Sequence, residues 1–299
     1  MSLWIVKPAV GLDVAMFLVS LAGLAINSVL LYVTRVFRGV TQAVDTVLIQ
    51  FIAVFDAVIC LVMMLGIVLR RIVGESILSN NGWWCRMSAI VYSGSLLVVL
   101  VFTALLAIVR YLAIVHGLQI NNLHFSILMY SILASIYILF SLLAFNCTTV
   151  VPPSGLYCTP RFSGPSLLSR IGGYITLALL AFSLVAIPVS YLGVTLHYQK
   201  MVNGFKESYS LWRLQRSIYS LIIVMICYTA TTLPEFILVG LSVSNLATRT
   251  SLNDGIVILL LSTITIINPL FSLLMHNDIY RRFLNTLGIT PYTTEYALT

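Results

Sequence analysis

Seven long apolar runs dominate this 299-residue chain, at about residues 12–34, 47–69, 86–115, 124–145, 171–197, 217–242 and 254–275. A helix needs roughly 20 such residues to cross a hydrocarbon core of about 30 Å, and in lipid only a helix satisfies every backbone group within one segment. The chain is therefore read as an all-α membrane protein, a bundle of seven transmembrane helices at 1–288 with little chain left for a soluble domain. Composition agrees: 8% of residues are charged and 60% hydrophobic, where a soluble domain carries about 25% charged residues. The net charge of +7 is spread over loops, which suits lipid headgroups and argues against nucleic acid. The first run is too long for the core of a cleaved signal peptide and reads as its own insertion signal.

The third run begins at Cys85 and reaches Arg110 twenty-five residues later. At 1.5 Å per residue that is roughly 37 Å of helix, so the two residues belong to opposite membrane faces. The Arg110 side holds nine Lys and Arg (Arg35, Arg38, Arg110, Lys200, Lys206, Arg213, Arg216, Arg281, Arg282) and the other side the remaining seven. The positive-inside rule then puts Arg110 and the carboxy terminus in the cytoplasm and the amino terminus outside, with the plasma membrane as the expected location. Cys85, Cys147 and Cys158 fall on the outer side, where disulfides persist. The loop at 146–170 is rich in Pro, Gly and Ser and cannot be helical throughout. A disulfide from Cys85 to that loop is expected, with Cys158 preferred to Cys147 because it lies further from the end of the fourth helix. Asn146, Cys147 and Thr148 form a glycosylation sequon close to the membrane.

Polar residues inside apolar runs carry most of the remaining information. Asn27 interrupts the first run and Asp56 the second; a carboxyl at that depth is costly and marks function, unless it is a permanently protonated group bonded within the bundle. Pro188 and Pro234 remove helical hydrogen bonds and are candidate hinges. Asn268 and Pro269 make the seventh helix irregular near one end. Residues 278–287 set Ile279, Phe283, Leu284 and Leu287 on one face and Arg281 and Arg282 on the other, the pattern of an interfacial helix lying on lipid. A short cytoplasmic tail, 289–299, is expected to follow.

In their order, these landmarks resemble the rhodopsin-like (class A) G-protein-coupled receptors over the whole chain. The matching positions are Asn27, Asp56, Cys85, Arg110, Pro188, Pro234, Asn268 and Pro269. The resemblance implies a G-protein face of Arg110, Tyr111, Lys206, Arg213 and Arg216. It implies a ligand pocket of Tyr92, Glu235, Phe236, Ile258 and Ser262, and a sodium pocket around Asp56 with Asn27 and Asn268 nearby. Val99 and Ile264 stand where relatives often supply further sodium ligands. Tyr92 replaces the aspartate of amine receptors, which argues against a biogenic amine in the usual pose. Glu235 either takes over that role from the sixth helix or bonds Tyr92 as a structural group. No retinal cofactor is expected, since a Schiff base needs a lysine and Lys7, Lys200 and Lys206 all lie outside the spans.

Several departures stand out. Val109 replaces the acid that precedes the family's arginine, and Thr232 and Ser272 replace a tryptophan and a tyrosine. Tyr137 falls near the fourth-helix tryptophan. Leu196 and Leu214 occupy two further positions from which relatives hold the arginine. Arg110 is therefore expected to be loosely held at rest, with high basal activity. The implied function is a receptor, not itself an enzyme, that binds an extracellular ligand and drives nucleotide exchange on a heterotrimeric G protein as the sixth helix moves about Pro234. The alternatives are a seven-helix transporter or channel, for which no internal repeat is evident, and a receptor-like protein that no longer signals.

Overall fold

The computed structural model describes residues 6–36, 44–74, 80–118, 120–164, 166–204, 208–244, 250–275 and 277–286. Helices α1 (Val6–Val36), α2 (Val44–Val73), α3 (Trp83–His116) and α4 (Asn122–Asn146) come first. A two-stranded antiparallel hairpin follows, β1 (Thr149–Val150) and β2 (Thr159–Pro160), with Thr149 opposite Pro160 and Val150 opposite Thr159. Then come α5 (Leu167–Gly204), α6 (Ser208–Val243), α7 (Ser251–Met275) and the short α8 (Asn277–Thr286). Helices α1 to α7 are each long and apolar enough to span a bilayer, and the protein is a multi-pass membrane protein.

The side chains are sorted as lipid requires. Buried positions on α1 are Asp13, Met16, Ser20, Gly23, Asn27, Leu30, Val33 and Thr34. That spacing of three and four residues is one face of a helix. Its opposite face exposes Val14, Leu18, Leu21 and Tyr32. Asn27, Asp56, Thr103, Arg110 and Asn268 are all buried, while Leu65, Ile127, Val185 and Ile226 face outward. Polar groups inside and hydrocarbon outside reverse the order of a water-soluble core, because the surrounding solvent is lipid.

Helix α3 is the axis. From Ser95 to Ala107 every residue except Leu96 and Leu105 is buried, so its surroundings are protein on nearly every side. Two irregularities break the expected regular spans. Residues Ala89–Ser93 of α3 form a π-helical turn, whose extra residue re-aims the side chains beyond it by about 100° relative to an unbroken helix. Helix α7 breaks at Thr263, between Ser262 and Ile264, one turn before the expected irregularity at Asn268 and Pro269.

Helices α5 and α6 also run further than the expected spans at 171–197 and 217–242, with Pro188 and Pro234 inside continuous helix. On α8, Ile279 and Phe283 pack against the bundle while Arg281 and Arg282 are exposed. Leu287 and the tail at 289–299 lie outside the described residues.

Candidate functional site: a cavity under the hairpin and a buried arginine

At one end of the bundle, the Cys85–Cys158 disulfide ties the hairpin to the start of α3, as expected, and both cysteines are buried. Cys147 is unpaired with cysteine and lies 3.4 Å from the Ser166 hydroxyl. The turn before α3 extends the hairpin. Asn81 Oδ1 accepts from Thr149 N at 2.7 Å and Asn80 Oδ1 from Val151 N at 3.0 Å. Asn81 adopts φ +60° there, a left-handed conformation that asparagine tolerates better than most residues. Asn146, the sequon asparagine, ends α4 exposed, its amide donating to the Leu142 carbonyl.

Two acids that sequence reasoning passed over complete this lid. Asp254, in the first turn of α7 and fully buried, accepts from the Ser154 hydroxyl and from Tyr157 Oη at 3.1 Å. Asp13 of α1 pairs with both Arg70 and Arg71 of α2, and Arg70 also donates to the Gly155 carbonyl. Gly155 sits at φ +70°, where a β-carbon would be strained. The hairpin is thus fastened to α1, α2, α3 and α7 together.

Beneath it lies a cavity of about 50 Å³, room for a few waters. Tyr92, Glu235 and Ile258 line it, together with Tyr157 and Phe162 from the lid region and Leu100 deeper in α3. Tyr92 stands on the π turn, 1% exposed, its ring 5.5 Å from that of Tyr157. Its hydroxyl has no hydrogen-bond partner among the described residues. The other two expected pocket residues are not in the lining: Phe236 packs against the apolar core, and the Ser262 hydroxyl donates to the Ile258 carbonyl at 2.8 Å.

Midway down the bundle, Asp56 Oδ2 accepts from Asn268 Nδ2 at 2.9 Å, joining α2 to α7. Asn27 serves a neighbouring need. Pro269 has no N–H for the carbonyl four residues earlier, that of Thr265, and Asn27 Nδ2 donates to it at 2.7 Å. Gly23 allows this approach, since a β-carbon there would lie 2.6 Å from Thr265 Oγ1. Asp56 Oδ1 is buried without a hydrogen-bond partner among the described residues. As a sodium site the donor set is thin: Val99 and Ile264 offer only hydrocarbon, so water would have to supply most of the shell.

At the far end, Arg110 is buried, 3% exposed, and the expectation of a loosely held arginine is corrected. Its Nε donates to Asp45 Oδ2 at 3.2 Å, and the guanidinium lies 5.2 Å from the centre of the Phe271 ring. Asp45 belongs to the first turn of α2, where the helix dipole favours an acid. Phe271 in turn stacks edge-on against Tyr191 of α5, centroids 5.4 Å apart. Tyr191 is fully buried beside the Arg110 charge, five residues before Leu196. Tyr111 turns the other way, against Gly193, with its hydroxyl 3.3 Å from His116 Nε2. Lys206 lies outside the described residues, as do the side chains of Arg213 and Arg216.

No protein-family model and no curated protein matches the sequence. The crystal structure of squid rhodopsin is similar, with a TM-score of 0.68 over 94% of this chain and 86% of that chain, at 12% identity. A likeness at that identity speaks for architecture, and with the seven spans and the disulfide on α3 it establishes that this chain has the rhodopsin-like seven-helix fold.

Proposed function

We propose that this protein is a plasma-membrane receptor that binds an extracellular ligand under the hairpin lid and activates a heterotrimeric G protein at the Arg110 end. In this reading the amino terminus is outside and the carboxy terminus cytoplasmic, as the basic-residue count favours. The observation that carries it is the state of Arg110: a charge buried at the end of the central helix, held by an acid from a neighbouring helix. Burying an arginine costs free energy, which suits a group that is released in a second conformation. Ligand contacts at the lid end would favour a state in which α6 moves about Pro234, Arg110 leaves Asp45 and a cavity opens for the G protein's terminal helix. Tyr111, Lys206, Arg213 and Arg216 complete the docking face.

Nucleotide exchange on a panel of purified G proteins, with the receptor reconstituted in bilayers, tests the proposal without a known ligand. Arg110→Ala should abolish the receptor-dependent exchange. Exchange that is intact in Arg110→Ala would refute the role given to the arginine. Asp56 is proposed to couple the two ends through its second carboxylate oxygen. A sodium dependence of receptor-driven exchange that vanishes in Asp56→Asn would assign that oxygen to sodium; no dependence would leave it to a proton or an internal hydrogen bond.

A further inference from the structure

We infer that Phe271 and Tyr191 are positioning residues for Arg110: an aromatic cage from α7 and α5 holds the guanidinium in its resting place, and its release takes a movement of those two helices. The inference rests on the receptor reading above and adds the residues that set its resting state. Two departures in the sequence lead to it. Leu196 stands on α5 at a position from which relatives hold the arginine, and Ser272 replaces a tyrosine on α7. In the structure Leu196 is 49% exposed, and Ser272 donates its hydroxyl to the Asn268 carbonyl of its own helix at 3.0 Å. The same two helices meet the arginine through other residues.

Phe271, the neighbour of Ser272, has the Arg110 guanidinium over its ring, 5.2 Å from the centroid, inside the range of about 6 Å in which a ring face attracts a cation. Tyr191 meets that ring edge-on, with centroids 5.4 Å apart and planes at 73°, and its hydroxyl faces the same guanidinium. Both rings are buried, so water screens the attraction little. A guanidinium is planar and weakly hydrated, which suits it to a ring face; an aliphatic side chain at 271 would fill the space without that attraction. Each ring also lies within one turn after a proline, Tyr191 three residues past Pro188 and Phe271 two past Pro269. Proline leaves a helix short of a hydrogen bond and prone to bend, so a change of bend at either one carries its ring away from the arginine. The Asp45 pair differs in kind, since its carboxylate side chain is 25% exposed and salt weakens such a pair.

The test needs no ligand. The full-length protein is labelled at its arginines with a nitrogen isotope visible to NMR and placed in lipid nanodiscs, and the Nε–H signal of Arg110 is assigned by its loss in Arg110→Lys. A ring face against the guanidinium shifts that signal upfield of the other arginines. The native protein should show the shift, Phe271→Leu should abolish it and Phe271→Tyr should keep it. Ligand-free nucleotide exchange should rise by about fivefold to tenfold in Phe271→Leu, by less in Tyr191→Phe, which keeps the ring and loses the hydroxyl, and stay near native in Phe271→Tyr. An unshifted Arg110 signal in the native protein, or exchange that Phe271→Leu leaves unchanged, would overturn the inference. If Phe271→Leu does not fold, the native signal and the exchange of Tyr191→Phe decide. The NMR signal involves no G protein. A shifted signal that is lost in Phe271→Leu, with no exchange from the native protein or any variant, would sink the receptor reading and leave the cage standing. Exchange driven by a native protein whose Arg110 signal is unshifted would do the reverse.

Discussion

The two ends of the bundle are held in opposite ways. At the hairpin end a covalent bond, a three-member ion cluster and the Asp254 hydrogen bonds fasten one short lid to four helices. At the Arg110 end the ion pair among the described residues is Asp45 to Arg110, joining α2 to α3, with the Phe271 ring against the guanidinium. Asp45 is itself a quarter exposed, with 25% of its side-chain surface open, against 5% for Asp13. An end built from many mutually supporting contacts defines one geometry, whereas an end where a partly exposed acid holds the arginine can have two. Under the proposed receptor function, this contrast suits a ligand end that keeps its shape and an opposite end that changes.

Substitutions should reproduce that ranking. Replacing both Cys85 and Cys158 by serine should be the most damaging, costing about 2–5 kcal/mol as a disulfide closing a long loop is lost, read as a lower thermal midpoint in nanodiscs. Asp13→Ala comes next, at about 2 kcal/mol, because Arg70 stays largely buried without its carboxylate; the side chain of Arg70 is 12% exposed and that of Arg71 51%. Combining it with Arg70→Ala in a double-mutant cycle should recover part of the loss. Asp254→Ala removes the partners of Ser154 and Tyr157, costing about 1–2 kcal/mol and speeding hydrogen exchange across the hairpin.

Asp45→Asn should cost least, about 1 kcal/mol, because the amide oxygen can still accept from the buried Arg110 and Asp45 is itself partly exposed. Its mark should be functional instead, a severalfold rise in ligand-free nucleotide exchange. A large loss of stability with unchanged exchange would make Asp45 a structural group and erase the contrast between the ends.

How much of this was legible in the residues follows from distance along the chain. The spans were readable because each is a local property of twenty-odd residues in lipid. Cys158 was separable from Cys147 by its place in the loop. The partner of Arg110 was not legible. Val109 marks the loss of an adjacent acid, but the replacement comes from Asp45, 65 residues away, and nothing local distinguishes it from an acid serving the helix dipole. Composition held one usable signal. With only nine acids in 299 residues, each acid inside or beside a span has reason to be paired, and Asp13, Asp45 and Asp254 all are.

Sequence alone therefore determined the seven helices, the membrane and the residues that interrupt the apolar runs, since hydrocarbon leaves a chain like this no other way to satisfy its backbone. Tertiary structure alone decided which polar groups meet. The π turn that brings Tyr92 to the cavity, the donation of Asn27 to a carbonyl orphaned by Pro269 and the hold of Asp45 on Arg110 all depend on helix packing. Pairing energy falls off within a few ångströms, and only the packed bundle sets distances on that scale.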